Sequence, residues 1–177
     1  MEGSYARVGY TIDVCRGDEA WNASQVWYLP FDDLNVAVTE GIASWPWREW
    51  YYTINVCNFG ISRCGDDDTK LSQQMRRIKG QMLFLRGLAY YNLAGYYQNP
   101  PLITDYSGYS TLDGLYGKNS TYDEVLDQVE KDFSEAMTLL PSRNAGGEWA
   151  GGRATSGAAA GYYARTLMQR HKYNEAL

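Results

Sequence analysis

The sequence predicts a mostly α-helical fold, and three observations carry that expectation. Four segments repeat apolar residues at three- and four-residue steps, the period of a helix with one buried face. Two of these segments stop sharply at proline, at Pro100–Pro101 and at Pro141, and proline cannot continue a helical hydrogen-bond ladder. The second of these is headed by Thr121-x-x-Glu124, the spacing of a capping box.

In chain order, residues 4–13 are weakly patterned and fit either irregular chain or a short helix, and Gly17, Asp18 and Glu19 mark a turn. Residues 20–38, AWNASQVWYLPFDDLNVAV, mix Trp, Tyr and Phe with Asn, Ser, Gln and Asp at no sustained period, which predicts a structured loop. Residues 45–62 are helical by spacing: Trp47, Trp50 or Tyr51, Ile54, Cys57 or Asn58 and Ile61 share a side. An acidic turn, Gly65 to Thr69, leads to the next helix, residues 71–97, around which the rest is expected to pack. Its expected core stripe is Ile78, Met82, Leu85, Ala89, Leu93 and Tyr96, with Arg76, Arg77, Lys79 and Gln81 on a solvated flank. Gly80, Gly87 and Gly95 cost helix stability, so they are read as points where another helix comes close. A long connection rich in Gly, Ser and Asp follows Pro101. The helix at 121–140 has Val125, Val129, Phe133, Ala136 and Leu140 as its stripe. The last helix, 156–170, is expected to turn Ala160, Tyr163, Ala164, Leu167 and Met168 inward, and these two are expected to form an antiparallel hairpin.

Composition narrows the function. With 45% hydrophobic and 21% charged residues the chain is globular, and its net charge of −5 argues against nucleic acid and anionic membrane surfaces as partners. The aromatic surplus lies in 16 Tyr and 6 Trp against 4 Phe, rings with a polar handle suited to wet, half-buried surfaces. Three cysteines imply no disulfide framework, because Cys57 and Cys64 on one helix stand about 10 Å apart. Residues 1–10 carry no basic stretch followed by an apolar run, and no run of about 20 apolar residues occurs, so neither a signal peptide nor a spanning helix is expected. The closing HKYNEAL halts where a further helix is expected to begin, as in a fragment.

Catalytic constellations are thin. His171 is the only histidine, which leaves no His-based triad or metal site to assemble. Asp32-Asp33 and Asp66-Asp67-Asp68 are adjacent acids on turns, a pattern more typical of solvated carboxylates than of a glycosidase pair. The glycines at 146–147 and 151–152 lack the strand and Lys-Ser/Thr of a phosphate loop. No cofactor is expected. Five of the six Trp lie between Trp21 and Trp50, and aromatic platforms flanked by Asp, Asn and Gln suit sugar rings, which offer apolar faces and polar edges. Trp45, Trp47 and Trp50 are read as helix core. For Trp21, Trp27 and Tyr28, in a polar loop, platform and packing both stay open.

Four blocks, in order, resemble the SusD/RagB-like nutrient-binding lipoproteins of Bacteroidetes outer membranes. WREWYYTINVCN is similar to that family's W-x-x-x-Y-x-x-I-x-x-x-N helix through Trp47, Tyr51, Ile54 and Asn58. GQMLFLRGLAYYNLAGYYQNPPLI resembles its F-L-R helix through Phe84, Leu85, Arg86, Tyr90, Leu93, Tyr97, Pro101 and Leu102, although Gln98-Asn99 replaces the glycine usual after the tyrosine. TYDEVLDQVEKDFSEAMTLLP matches through Tyr122, Val125, Asp132, Phe133, Ala136, Leu139, Leu140 and Pro141. GRATSGAAAGYYARTLM matches through Gly152, Arg153, Thr155, Ala158, Ala159 and Arg165.

The resemblance implies a SusD-like right-handed helical assembly with TPR-like helix hairpins and long loops. The 177 residues would form a single incomplete N-terminal domain of a longer protein, with a Trp-rich loop region at about 14–44 and a helical core at about 45–177. It further implies a non-catalytic, surface-exposed outer-membrane lipoprotein, held by a lipid anchor outside this chain. Such a protein captures a glycan or peptide for import through a SusC-like TonB-dependent transporter. The ligand-binding residues it suggests are Asp18, Glu19, Trp21, Asn22, Trp27 and Tyr28, with no metal. The competing readings are a generic TPR-like scaffold and a carbohydrate-active enzyme.

Overall fold

The computed structural model describes residues 9–17, 28–37, 41–65, 67–107, 117–145, 147 and 151–177. Among them are six α-helices and no strand: α1 (Gly9–Arg16), α2 (Leu29–Asp32), α3 (Ser44–Cys64), α4 (Gln73–Tyr97), α5 (Tyr122–Leu139) and α6 (Ser156–Gln169). The mostly α expectation holds, and the four long helices fall within two residues of their expected bounds. The chain divides into two compact units, residues 1–53 and 54–177, with the division inside α3.

In the first unit, α1 packs with α2, and Ile12, Cys15, Tyr28 and Phe31 are buried. The segment expected as loop thus contains one helical turn, started by Pro30 near its N-terminus and ended where Leu34 turns left-handed at φ 52°. The first half of α3 buries Trp50, whereas Trp45 is 42% exposed and Trp47 is half-buried, its ring tilted against Tyr51 at 4.9 Å. The expectation that all three Trp are core therefore holds only for Trp50.

The second unit is built on the antiparallel pair α4 and α5. A Cβ placed on Gly80 would meet Leu140 at 2.9 Å and Leu139 at 3.0 Å, and one on Gly87 would meet Asp132 and Phe133 at 3.2 Å. Rising numbers on α4 meet falling numbers on α5. Two of the three glycines are thus real points of close approach; Gly95 has nothing within 4 Å and is exposed. α6 runs back along α5, with Tyr162 stacked on Phe133 at 5.4 Å and Arg170 bonded to Asp127 and Glu130. The expected hairpin is present.

Each end of these helices has a local cause. Ser72 caps α4, its hydroxyl accepting from the Met75 N–H. Gln98 ends it at φ 61°, ψ −65°, and the Asn99 N–H bonds the Tyr97 carbonyl at 2.7 Å, which is a tight γ-turn ahead of the two prolines. At α5 the capping box is complete: Thr121 accepts from the Glu124 N–H, and Glu124 accepts from the Thr121 N–H at 2.7 Å. α6 closes in a Schellman motif, with His171 left-handed at φ 60° and Lys172 N–H bonded to the Leu167 carbonyl. His171 therefore serves as a helix stop.

Two stripes lie in a different register from that expected. On α4 the buried residues are Lys79, Gly80, Leu83, Phe84, Arg86, Gly87, Ala89, Tyr90, Leu93 and Ala94, while Ile78, Met82, Leu85 and Tyr96 are only half-buried. The buried face includes two cations and two glycines, so counting apolar residues rotates it the wrong way. Lys79, expected on the solvated flank, is buried between Asp68 at 2.8 Å and Glu135 at 3.1 Å. On α6 the buried residues are Ala159, Thr166 and Leu167; Ala160 and Met168 face solvent, because the Tyr162 ring turns the helix toward Phe84, Tyr91 and Phe133. The α5 stripe is as expected, with all five residues buried.

The glycines give a test with opposite signs in one helix. Gly80→Ala should lower stability by about 1–3 kcal/mol, because the added methyl forces the α4–α5 contact apart. Gly95→Ala should raise it by about 0.5–1 kcal/mol, since alanine loses less backbone entropy and meets nothing. Urea midpoints of the two variants would move in opposite directions.

Candidate functional site

Of the six residues suggested for binding, Asp18, Glu19, Trp21, Asn22 and Trp27 lie outside the described residues, and Tyr28 lies inside them. Tyr28 is 5% exposed and occupies the cap position of α2, so its ring belongs to the packing of the first unit. It presents little surface for a ligand to cover.

The most developed polar site of the second unit was not singled out by composition or periodicity. Arg86 of α4 donates from Nε to Asp132 Oδ2 at 2.9 Å and from Nη2 to Asp132 Oδ1 at 2.7 Å, a bidentate pair with α5. Its Nη1 donates to Asn58 Oδ1 on α3 at 2.8 Å and to the Thr104 carbonyl at 3.1 Å. Asn58 in turn donates to the Ile103 carbonyl at 2.8 Å, and the Tyr90 hydroxyl donates to that carbonyl at 2.9 Å and accepts from the Ile103 N–H at 2.7 Å. Gln128 donates to Asp132 Oδ1 at 2.8 Å. Three helices and the segment after Pro101 therefore meet at one guanidinium.

Electrostatics follow from burial. Asp132 is fully buried, and desolvation pushes its carboxyl above the ordinary carboxylate range against the pull of the Arg86 and Gln128 bonds. Desolvation pulls the Arg86 guanidinium down, and the bonds and charge of Asp132 more than offset this, so it stays protonated. All three Arg86 nitrogens donate, and both Asp132 oxygens accept, so the pair is committed to structure. The Cys57 thiol beside it is pushed up to about 12, chiefly by burial.

The described ends of the long connection are held as well. Leu102 N–H donates to Ser120 Oγ at 3.2 Å, and Ser120 N–H donates to the Pro100 carbonyl at 3.4 Å, so the two ends of the long connection are tied together. Between these ties, Ile103 and Thr104 are held by the buried site, and Asp105 accepts from the Ser107 N–H at 3.0 Å.

The adjacent acids take structural parts. Asp67 caps a short 3-10 turn and pairs with Lys70, and these bonds hold its carboxyl below the ordinary range; Asp68 pairs with Lys79. No group of three or more His, Cys, Asp or Glu that could hold a metal occurs among the described residues. All three cysteines are free and buried. None of the described helices is long and apolar enough to cross a membrane.

Comparison with known proteins gives a consistent picture. The family model SusD-like, described as starch-binding associating with outer membrane, matches residues 7–168. A SusD-like carbohydrate-binding protein from Bacteroides fragilis superposes with a TM-score of 0.77 at 21% identity, over 99% of this chain and 33% of that one. One from Bacteroides vulgatus gives 0.77 at 21% identity, over 97% and 37%. A laminarin-binding SusD-like protein gives 0.71 at 21%, over 99% and 41%. The chain thus spans about a third to two fifths of the length of these structures, and at this identity they show the fold alone. No curated protein matches in sequence.

The Cys57 thiol provides a pH test. Its folded value, about 12, lies above the ordinary 9.0, so the folded state holds a proton that the unfolded state releases. Stability from this group is complete below pH 9 and is lost as pH rises from about 9 toward 12. Between pH 8 and 11 this amounts to about 2–3 kcal/mol. Urea denaturation of the parent and of Cys57→Ala across that range should show a shallower alkaline decline in the variant.

Proposed function

This chain belongs to the SusD-like family of starch-binding proteins associating with the outer membrane, and from that premise we propose that it is part of a non-catalytic surface protein that captures glycans. The observation that carries the reading is the family match across nearly the whole chain. Two features support it. Of the adjacent acids weighed for a hydrolase, Asp67 and Asp68 are committed to a cap and to Lys79. The second unit is tied between helices by ion pairs of Arg86 with Asp132, Lys79 with Glu135 and Arg170 with Asp127 and Glu130.

In this reading the protein sits at the bacterial cell surface on a lipid anchor outside these residues. It holds oligosaccharides for a SusC-like TonB-dependent transporter. The ligand contacts are assigned to the Trp-rich loop: Trp21 and Trp27 supply ring faces, while Asp18, Glu19 and Asn22 orient hydroxyl groups. Tyr28, buried at the head of α2, packs in the first unit. Binding of this kind uses a preformed surface and stacking contacts, so the affinity is set by a few rings.

Trp27→Ala in the intact protein should weaken retention of a bound oligosaccharide by about 1–3 kcal/mol with the melting temperature almost unchanged. Affinity electrophoresis against a glycan panel, run beside thermal melts, makes the measurement. Retention left intact while the melting temperature falls would place Trp27 in the core and remove the loop from the binding site.

A further inference from the structure

On the outer face of α3, Val56, Phe59 and Arg63 follow one another at three- and four-residue steps, and Val56 and Phe59 are 46% and 42% exposed. Tyr106 stands beside them, 43% exposed, with its ring centroid 5.1 Å from that of Phe59 at an interplanar angle of 60°. The Arg63 guanidinium carbon lies 5.1 Å from the Phe59 centroid, so Phe59 is braced by a cation as well as by a second ring. All four belong to the second unit.

Tyr106 is placed by the interior of the protein. Two residues before it, the Thr104 carbonyl is held by Arg86, and the Ile103 carbonyl and N–H are held by Asn58 and Tyr90. On either side, Asp105 bonds both the N–H and the hydroxyl of Ser107. An exposed ring on a backbone fixed in this way loses little freedom when something binds to it.

The size and chemistry of the surface select its occupant. Four side chains are far fewer than the roughly 20–30 residues that each side of a stable protein interface contributes. They match one or two sugar rings. An aromatic face with a phenolic hydroxyl, a second ring and a guanidinium at the rim pairs with a pyranose, which has an apolar C–H face and hydroxyls at its edge.

We propose that Tyr106, braced by Phe59 and flanked by Arg63, is a second glycan-binding subsite, on which a pyranose ring stacks by its C–H face. The proposal rests on the glycan-binding reading above and adds a site in the second unit, separate in sequence from the Trp-rich loop of the first.

The test uses the intact protein and the same panel of neutral oligosaccharides. Tyr106→Ala should weaken retention of at least one glycan about five- to tenfold with an unchanged melting temperature, and Tyr106→Phe, which keeps the ring, should bind almost as the parent does. If Tyr106→Ala lowers the melting temperature as well, Tyr106→Leu decides the matter: lost retention with restored stability supports stacking, and restored retention overturns it. Full retention by Tyr106→Ala of every glycan that Trp27→Ala releases overturns this inference and leaves the glycan-binding reading standing. A parent protein that retains no glycan overturns both.

Discussion

The contact between Arg86 and Asp132 is the constraint on which the second unit depends. Burying two full charges costs several kcal/mol for each ion, and the cost is offset only where geometry is good and the remaining donors are satisfied. Here the geometry is bidentate, Gln128 adds a third donor to the carboxylate, and Asn58 and the Thr104 carbonyl take up the remaining guanidinium group. The requirement is spatial as well as energetic. Gly87, one residue after Arg86, lets α5 approach until its Asp132 Cβ lies 3.2 Å from where a methyl would stand. The ion pair and the close helix approach are therefore one feature: a bulkier residue at 87 would move the carboxylate out of reach.

From that point the structure extends outward in two directions. Along α5 and α6, aromatic packing of Phe133 and Tyr162 and the Arg170 contacts to Asp127 and Glu130 hold the hairpin. Toward the surface, the bonds to Ile103 and Thr104 fix the start of the long connection. The group at the centre of both directions is a charged one, placed where periodicity expects an apolar side chain.

Much of this was legible in the sequence, and the parts that were not share a cause. The α5 stripe and its capping box could be read residue by residue, because that helix buries an apolar face broken only by Asp132. The face of α4 was misjudged because Lys79, Gly80, Arg86 and Gly87 are buried, and each counts toward solvent or toward helix breaking in a periodicity argument. The α6 face was set by Tyr162 finding three other rings, a tertiary preference that the alanines of GAAAG do not reveal. One signal for the buried site was present: three of the four blocks of family resemblance contribute Asn58, Arg86 with Tyr90, and Asp132. Polar residues in otherwise apolar helix motifs mark a shared interior partner. The candidate loop was legible only as composition, and Tyr28, its last ring, is drawn into packing by its place at the head of α2.

The most direct test of the central claim is a double-mutant cycle at the buried pair, read as urea unfolding free energies of the parent, Arg86→Met, Asp132→Leu and the double variant. If the pair organises the second unit, each single change strands a buried charge and costs about 3–5 kcal/mol, while the double change costs less than either single one. Single losses of less than about 1 kcal/mol that simply add in the double variant would contradict the account, and would make the pair an incidental contact in a unit held together by its apolar stripes.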